Sequence, residues 1–199
     1  MTTSIRTAQI SRRTKETNID LRLVVDGTGE SSIRPGIGFF DHMLGALAKH
    51  GSFDLALTCE GDLHIDQHHT VEDSGIVLGQ AFAQALGDRA GLSRAGHFYF
   101  PLDEALARTV VDLSGRPFLL WNVDNSVQAP NSPMDLTVLE GFFKALSDGM
   151  KCAMHIDLLR GRDFHHSVEA IFKSSARALR MACERDARVI GIPSTKGVL

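Results

Sequence analysis

The sequence predicts an α+β fold: a tandem duplication of a β-β-α-β-β-α unit, with the helices packed between two outer four-stranded sheets. Three observations predict it. First, a motif recurs. HHTVEDSGIVLGQAFAQAL from His68 and HHSVEAIFKSSARALRMAC from His165 align at a shift of 97 residues, pairing His68 with His165, His69 with His166, Val71 with Val168 and Glu72 with Glu169. Second, each motif opens a segment with apolar residues at helical spacing. Val71, Leu78, Phe82 and Ala85 answer to Val168, Ser175, Leu179 and Ala182, so both segments are amphipathic helices with equivalent buried faces. Third, the chain of 199 residues is 43% hydrophobic and 23% charged, an ordinary globular usage. Half of such a chain is marginal alone, so the two halves should bury their helices against each other in one body.

The other elements follow in matching order. Asp20 to Val25 and Ala107 to Leu113 alternate or run apolar in the manner of strands. Each ends in a turn signal, Asp26-Gly27-Thr28-Gly29 or Ser114-Gly115-Arg116-Pro117. A helix comes next in each half, Phe39 to Lys49 and Thr137 to Met150, and then a strand, Phe53 to Cys59 and Lys151 to Leu158. Asn122 to Pro133 reads as a surface loop and Arg89 to Gly96 as the join. The expected division is residues 1–92 for the first half, 93–187 for the second and 188–199 for a C-terminal tail.

Composition narrows the partners. Lys and Arg number 21 against 24 Asp and Glu, a formal charge of -3, so no global basic field recruits nucleic acid or anionic lipid. No apolar run approaches the roughly 18 residues of a spanning helix, and the first residues lack the apolar middle of a signal peptide. The expectation is a cytoplasmic protein with no membrane association. Three widely spaced cysteines, Cys59, Cys152 and Cys183, fit reduced, buried thiols.

Eight of the nine histidines fall in two windows: His42, His50, His64, His68 and His69, then His155, His165 and His166. On a helix neighbouring side chains diverge by about 100°, while i,i+3 and i,i+4 pairs share a face. His68 therefore converges with Glu72, but His68 and His69 cannot readily bind one ion. Adjacent imidazoles imply two different ions, with ligands drawn from both halves or from neighbouring subunits. Imidazole with carboxylate and no thiolate suits Mn, Fe or Zn, and open octahedral positions favour a catalytic Mn or Fe over closed structural Zn. The plain alternative is a pair of helix caps whose Glu pairs with a His. The tail Ile192-Pro193-Ser194-Thr195-Lys196-Gly197 adds amides, hydroxyls and a Lys able to cradle phosphate, with Arg94, Arg116 and Lys173 as further cations.

The segments FFDHML from Phe39, DQHHTVEDSGIVLGQA from Asp66, PLDEALAR from Pro101, VDLSGRP from Val111, DFHHSVEAIFK from Asp163 and the terminal IPSTKGVL together resemble the imidazoleglycerol-phosphate dehydratases. The resemblance runs in order from Arg6 to Leu199. It implies the ribosomal protein S5 domain 2-like fold and a hydro-lyase of histidine biosynthesis that converts imidazole glycerol phosphate to imidazole acetol phosphate with two Mn2+ per active site. It also implies a hollow homo-oligomer of cubic symmetry, a 24-mer with metal sites at subunit interfaces. Carried onto this sequence, one ion is held by His42, His69, Glu72 and His166 and the other by His68, His165 and Glu169. Phosphate contacts fall on Arg94, Arg116, Lys173, Ser194 and Lys196, and catalytic polar positions on Glu16, Glu72, His50 and Asp103. Two positions depart from the family pattern: Gly141 stands where a metal-binding side chain, commonly His, is usual, and Ala46 where a Gln is often seen.

The chemistry accounts for these groups. The proton to be lost sits on carbon, so the substrate imidazole, held as imidazolate by two Lewis acids, must help expel the hydroxyl before a carboxylate such as Glu16 or Glu72 removes it. Two rival readings are a metal-storage or sensing oligomer and a dinuclear phosphoester hydrolase. The phosphate-binding tail disfavours the first, and the lack of Asp-rich motifs the second.

Overall fold

The structure, a computed structural model, describes residues 5–199. The first half contains β1 (Thr7–Arg13), β2 (Thr17–Val24), β3 (Ser31–Arg34), α1 (Gly38–Gly51), β4 (Asp54–Gly61) and α2 (His68–Leu86). The second contains β5 (Ala95–Leu102), β6 (Ala105–Asp112), β7 (Phe118–Asn122), α3 (Leu136–Met150), β8 (Ala153–Arg160) and α4 (Phe164–Cys183). Each half forms one four-stranded sheet, in the orders β1-β2-β4-β3 and β5-β6-β8-β7. The β3/β4 and β7/β8 pairs are parallel and the others antiparallel.

Two outer four-stranded sheets and four helices match the expected α+β class, but the order within each unit differs. It is β-β-β-α-β-α, because β3 and β7 precede the first helix of their halves rather than following it. A parallel pair such as β3/β4 needs a crossover, and α1 supplies it. The expected surface loop from Asn122 to Pro133 holds one 3-10 turn, Asn125–Val127.

One hydrophobic core contains residues of both halves, from Leu21 and Leu23 on β2 to Phe142 on α3 and Phe172 on α4. Its centre is aromatic. Phe40 meets Phe142 at 5.3 Å between centroids, Phe142 stacks on Phe172 at 5.6 Å, and Phe143 meets Phe172 at 5.0 Å. Each such fully buried ring contributes about 1.5–3 kcal/mol, so α1, α3 and α4 are pinned across the duplication.

The helices pair between halves, α2 with α3 and α1 with α4. Both pairs run parallel. On α2, Gly75 faces Phe142 and Ala145 while Gly79 faces Leu146 and Met150; on the other pair His42 lies beside Glu169, and Arg180 bonds the Ser52 hydroxyl. Glycines bring α2 against α3: a Cβ at Gly79 would sit 2.5 Å from the Leu146 carbonyl and 2.8 Å from the Met150 nitrogen, both backbone. Gly79→Ala is therefore expected to destabilise the fold by about 1–3 kcal/mol, because two helix backbones must part. Gly45→Ala, with no atom within 4 Å of the new methyl among the described residues, is the control. It should be neutral or stabilising by about 1 kcal/mol in thermal or urea unfolding.

Candidate metal centre

The duplicated motif puts each His-His pair at a helix start. On α4 the Asp163 carboxylate accepts the His166 N–H at 2.9 Å, and ahead of α2 Asp66 accepts the His68 N–H at 2.7 Å. Rings within a pair diverge as neighbours on a helix must, at 85° for both His68/His69 and His165/His166.

Where α1 runs beside α4, His42, His165 and Glu169 converge, with their donor atoms all within 4.8 Å of one another. The Glu169 Oε2 lies 3.1 Å from His165 Nε2 and 3.4 Å from His42 Nε2. Phe39 meets the His165 ring edge-on at 5.4 Å, which fixes its tilt. Burial works against the Glu169 charge, but Lys173, at 2.8 Å, and His42 hold the carboxyl below its ordinary range. An ionised carboxylate between two imidazoles is a donor set suited to a borderline divalent cation, and first-row metal–ligand bonds of about 2.0–2.2 Å need only slight tightening of this cluster.

The junction of α2 with α3 is the counterpart, and among the described residues it brings together no third His, Cys, Asp or Glu donor. The residues after α1 and α3, Ser52 and Lys151, both take left-handed backbone with φ of 55° and 53°, and this 99-residue alignment puts Gly141 opposite His42. His68 and Glu72 approach to 3.3 Å, but no side chain joins them from α3 at that position. His155 lies on β8 with its ring against Phe118 at 5.8 Å, outside the cluster.

The second histidine of each pair is held differently. Asp62 takes His69 at Nδ1, at 3.0 Å, and Glu104 takes His166 at Nδ1, at 2.9 Å, and each contact raises the histidine above its ordinary range. Glu16 and Asp103 stand on the Nε2 side of these rings, at 3.8 and 4.0 Å. His50 lies two turns beyond His42 on α1, against Phe100 at 5.1 Å, and burial with nearby Lys173 pushes it down. Thus within one chain His42 is grouped with His165 and Glu169, while His69, Glu72 and His166 lie in three other groups.

The phosphate candidates divide too. The Lys173 ammonium lies 2.8 Å from Glu169 and over the Phe100 ring, at the cluster. Arg94 grips Asp112 and donates to the Pro193 carbonyl at 2.8 Å, so it ties down the tail that carries Ser194 and Lys196. Gly115, beside Arg116, packs so tightly on the terminal Leu199 that a Cβ would come within 2.4 Å of it. Since the Arg94 N–H bonds the Ala182 carbonyl at the far end of α4, this patch is separated from Glu169 by 13 residues of helix, roughly 20 Å.

The family model for imidazoleglycerol-phosphate dehydratase matches residues 35–179. The imidazoleglycerol-phosphate dehydratase of Gluconacetobacter diazotrophicus is 56% identical over 195 residues, covering 98% of both chains. That of Methylobacillus flagellatus is 52% identical, covering 99% of this chain and 100% of its own. This chain belongs to the imidazoleglycerol-phosphate dehydratase family. Among solved structures, the Pyrococcus furiosus dehydratase in complex with (S)-C348 superposes with a TM-score of 0.82 at 36% identity, covering 96% of this chain and 100% of that one. The Staphylococcus aureus dehydratase gives a TM-score of 0.79, also at 36% identity, covering 90% of this chain and 99% of that one.

As a dehydratase family member the chain keeps both His-His-x-x-Glu motifs in equivalent places. Asp62 and Glu104 were not legible as site residues in the sequence. A signal for Glu104 exists, because the shift of 88 residues that carries the β1–β2 hairpin onto β5–β6 puts it opposite Glu16. Ala46, where a Gln is often seen, is buried on α1 one turn beyond His42.

Proposed function

We propose that the protein is a metal-dependent hydro-lyase that dehydrates imidazole glycerol phosphate to imidazole acetol phosphate in histidine biosynthesis, using two divalent cations, Mn2+ by preference, at each site. The observation that carries this reading is the cluster that His42 of α1 forms with His165 and Glu169 of the second motif copy, in a chain that matches the family along its length. Bound there, the cations supply Lewis acidity to the substrate imidazole. The chain's own residues do the rest. Glu16 and Glu72 are the carboxylates open enough to take the carbon-bound proton, Asp103 and His50 are polar neighbours, and the cationic groups hold the phosphate so that the reacting carbons are fixed.

The separation along α4 supports a site completed by a second copy of the chain. Roughly 20 Å exceeds the span of a three-carbon phosphate ester bearing one imidazole, so the tail patch and the cluster of one chain cannot hold the same molecule. The site is therefore shared between copies, with Arg94, Arg116, Ser194 and Lys196 of one subunit facing the ions of another. His69 and His166 complete ion sites across the same boundaries. A closed homo-oligomer of about two dozen subunits satisfies this requirement.

Purified protein supplied with imidazole glycerol phosphate and Mn2+ should form the ketone product and lose activity on chelation. Ion uptake without turnover would favour storage, and release of inorganic phosphate would favour a phosphoester hydrolase. The gap at Gly141 adds an expectation. The ion at His68 and Glu72 should bind more weakly than the one at His42, His165 and Glu169. Gly141→His should tighten it, because a Cβ at that position meets no atom within 4 Å outside its chain neighbours and its own helix backbone among the described residues. A Mn2+ titration showing two equal, tight classes in the unmodified protein would contradict this.

A further inference from the structure

We infer that Glu104 and Asp62 are positioning residues, each holding one imidazole by its Nδ1 so that Nε2 is the nitrogen presented to a cation. The inference rests on the metal reading above and concerns residues that lie outside both duplicated motifs.

The two histidines of each motif are used in different ways. His68 and His165 turn Nε2 toward the glutamate of their own helix, at 3.3 and 3.1 Å. His69 and His166 instead have a carboxylate behind them, with Asp62 oxygens 3.0 and 3.2 Å from one Nδ1 and a Glu104 oxygen 2.9 Å from the other. A carboxylate only accepts, so Nδ1 must carry the proton and the Nε2 lone pair is left free. The nitrogen left free is the one that faces Glu16 in the first half and Asp103 in the second.

Duplication alone does not produce this likeness. Glu104 occupies the β5–β6 turn, equivalent to Glu16 in the β1–β2 turn, whereas Asp62 comes from the loop between β4 and α2. Two non-equivalent loops thus deliver a carboxylate to the same ring nitrogen of equivalent histidines. The β5–β6 turn is specialised for it. Asp103 takes a left-handed φ of 47°, costly for a residue with a side chain, in the two-residue connection between paired Leu102 and Ala105. That turn directs Glu104 to the start of α4, where its Oε1 accepts the N–H groups of Asp163 at 2.9 Å and Arg162 at 3.2 Å, while Asp103 is the more exposed of the two. Glu104 therefore fixes both the start of α4 and the tautomer of the ring one turn inside it.

The two roles separate in Glu104→Gln. A carboxamide oxygen can still accept from Arg162 and Asp163, but its NH2 then faces Nδ1 and favours the tautomer with the proton on Nε2, where no ligand lone pair remains. In the full-length oligomer, a Mn2+ titration following free ion by electron paramagnetic resonance should show one class of site weakened by about 10- to 100-fold. The unfolding midpoint of the metal-free protein should shift by no more than a few degrees. Asp62→Asn should weaken Mn2+ in the same way through His69, and it decides the matter if the Glu104 variant does not fold. Wild-type Mn2+ affinity in both variants overturns the inference alone. A wild-type protein that takes up no Mn2+ overturns the metal reading and the inference with it.

Discussion

Glu169→Gln is expected to lower turnover by about a thousandfold or more while leaving the fold intact. The substitution keeps the shape and a hydrogen bond to Lys173, but it removes the charge shared by His42 and His165 at 3.4 and 3.1 Å. A catalytic cation supplies several kcal/mol of transition-state stabilisation, and each 1.36 kcal/mol is tenfold in rate. Glu72→Gln should act in the same direction on the other ion. Steady-state kinetics at saturating Mn2+, with circular dichroism to confirm folding, measures both. Near-normal turnover in either variant would sink the two-ion account.

Metal removal should disassemble the protein. If ions take ligands from more than one subunit, they bind the assembled form better than the free chains, and linkage requires the assembly to weaken when they are stripped. Light scattering after chelation should report a mass reduced by roughly several-fold, restored when Mn2+ is returned. A metal-free particle of unchanged mass contradicts interface ligation.

The inner strands of both sheets are legible in the sequence and the edge strands are not. The strands recognised, around Asp20 to Val25, Phe53 to Cys59, Ala107 to Leu113 and Lys151 to Leu158, are β2, β4, β6 and β8, the inner pair of each sheet. Their buried faces force an alternating or apolar pattern, as in Ile19, Leu21 and Leu23. The strands not recognised, β1, β3, β5 and β7, are the four edges. A sequence such as Ser31-Ser32-Ile33-Arg34 buries little and is polar, which protects an open edge from pairing with other chains and also erases its signal. Helices α2 and α4 are legible because the motif repeats, and so are the histidines at their starts. The backing carboxylates are not, since Asp62 and Glu104 reach their histidines across turns that no helical spacing encodes. Nor does spacing show that Arg94 spends its charge on Asp112 and the tail, at the opposite end of α4 from Glu169.

The central claim is that each active site joins the ion cluster of one chain to the phosphate-binding tail of another, and subunit mixing tests it most directly. Glu169→Gln damages the cluster and Arg116→Ala/Lys196→Ala damages the tail, so each protein alone should be nearly inactive. Stripped of metal, mixed in equal amounts and reassembled with Mn2+, the two should regain activity, because random assembly pairs an intact cluster with an intact tail at up to about a quarter of the sites. A mixed oligomer, verified by mass, whose activity never exceeds that of its two parents would show that cluster and tail serve the same chain and would contradict the account.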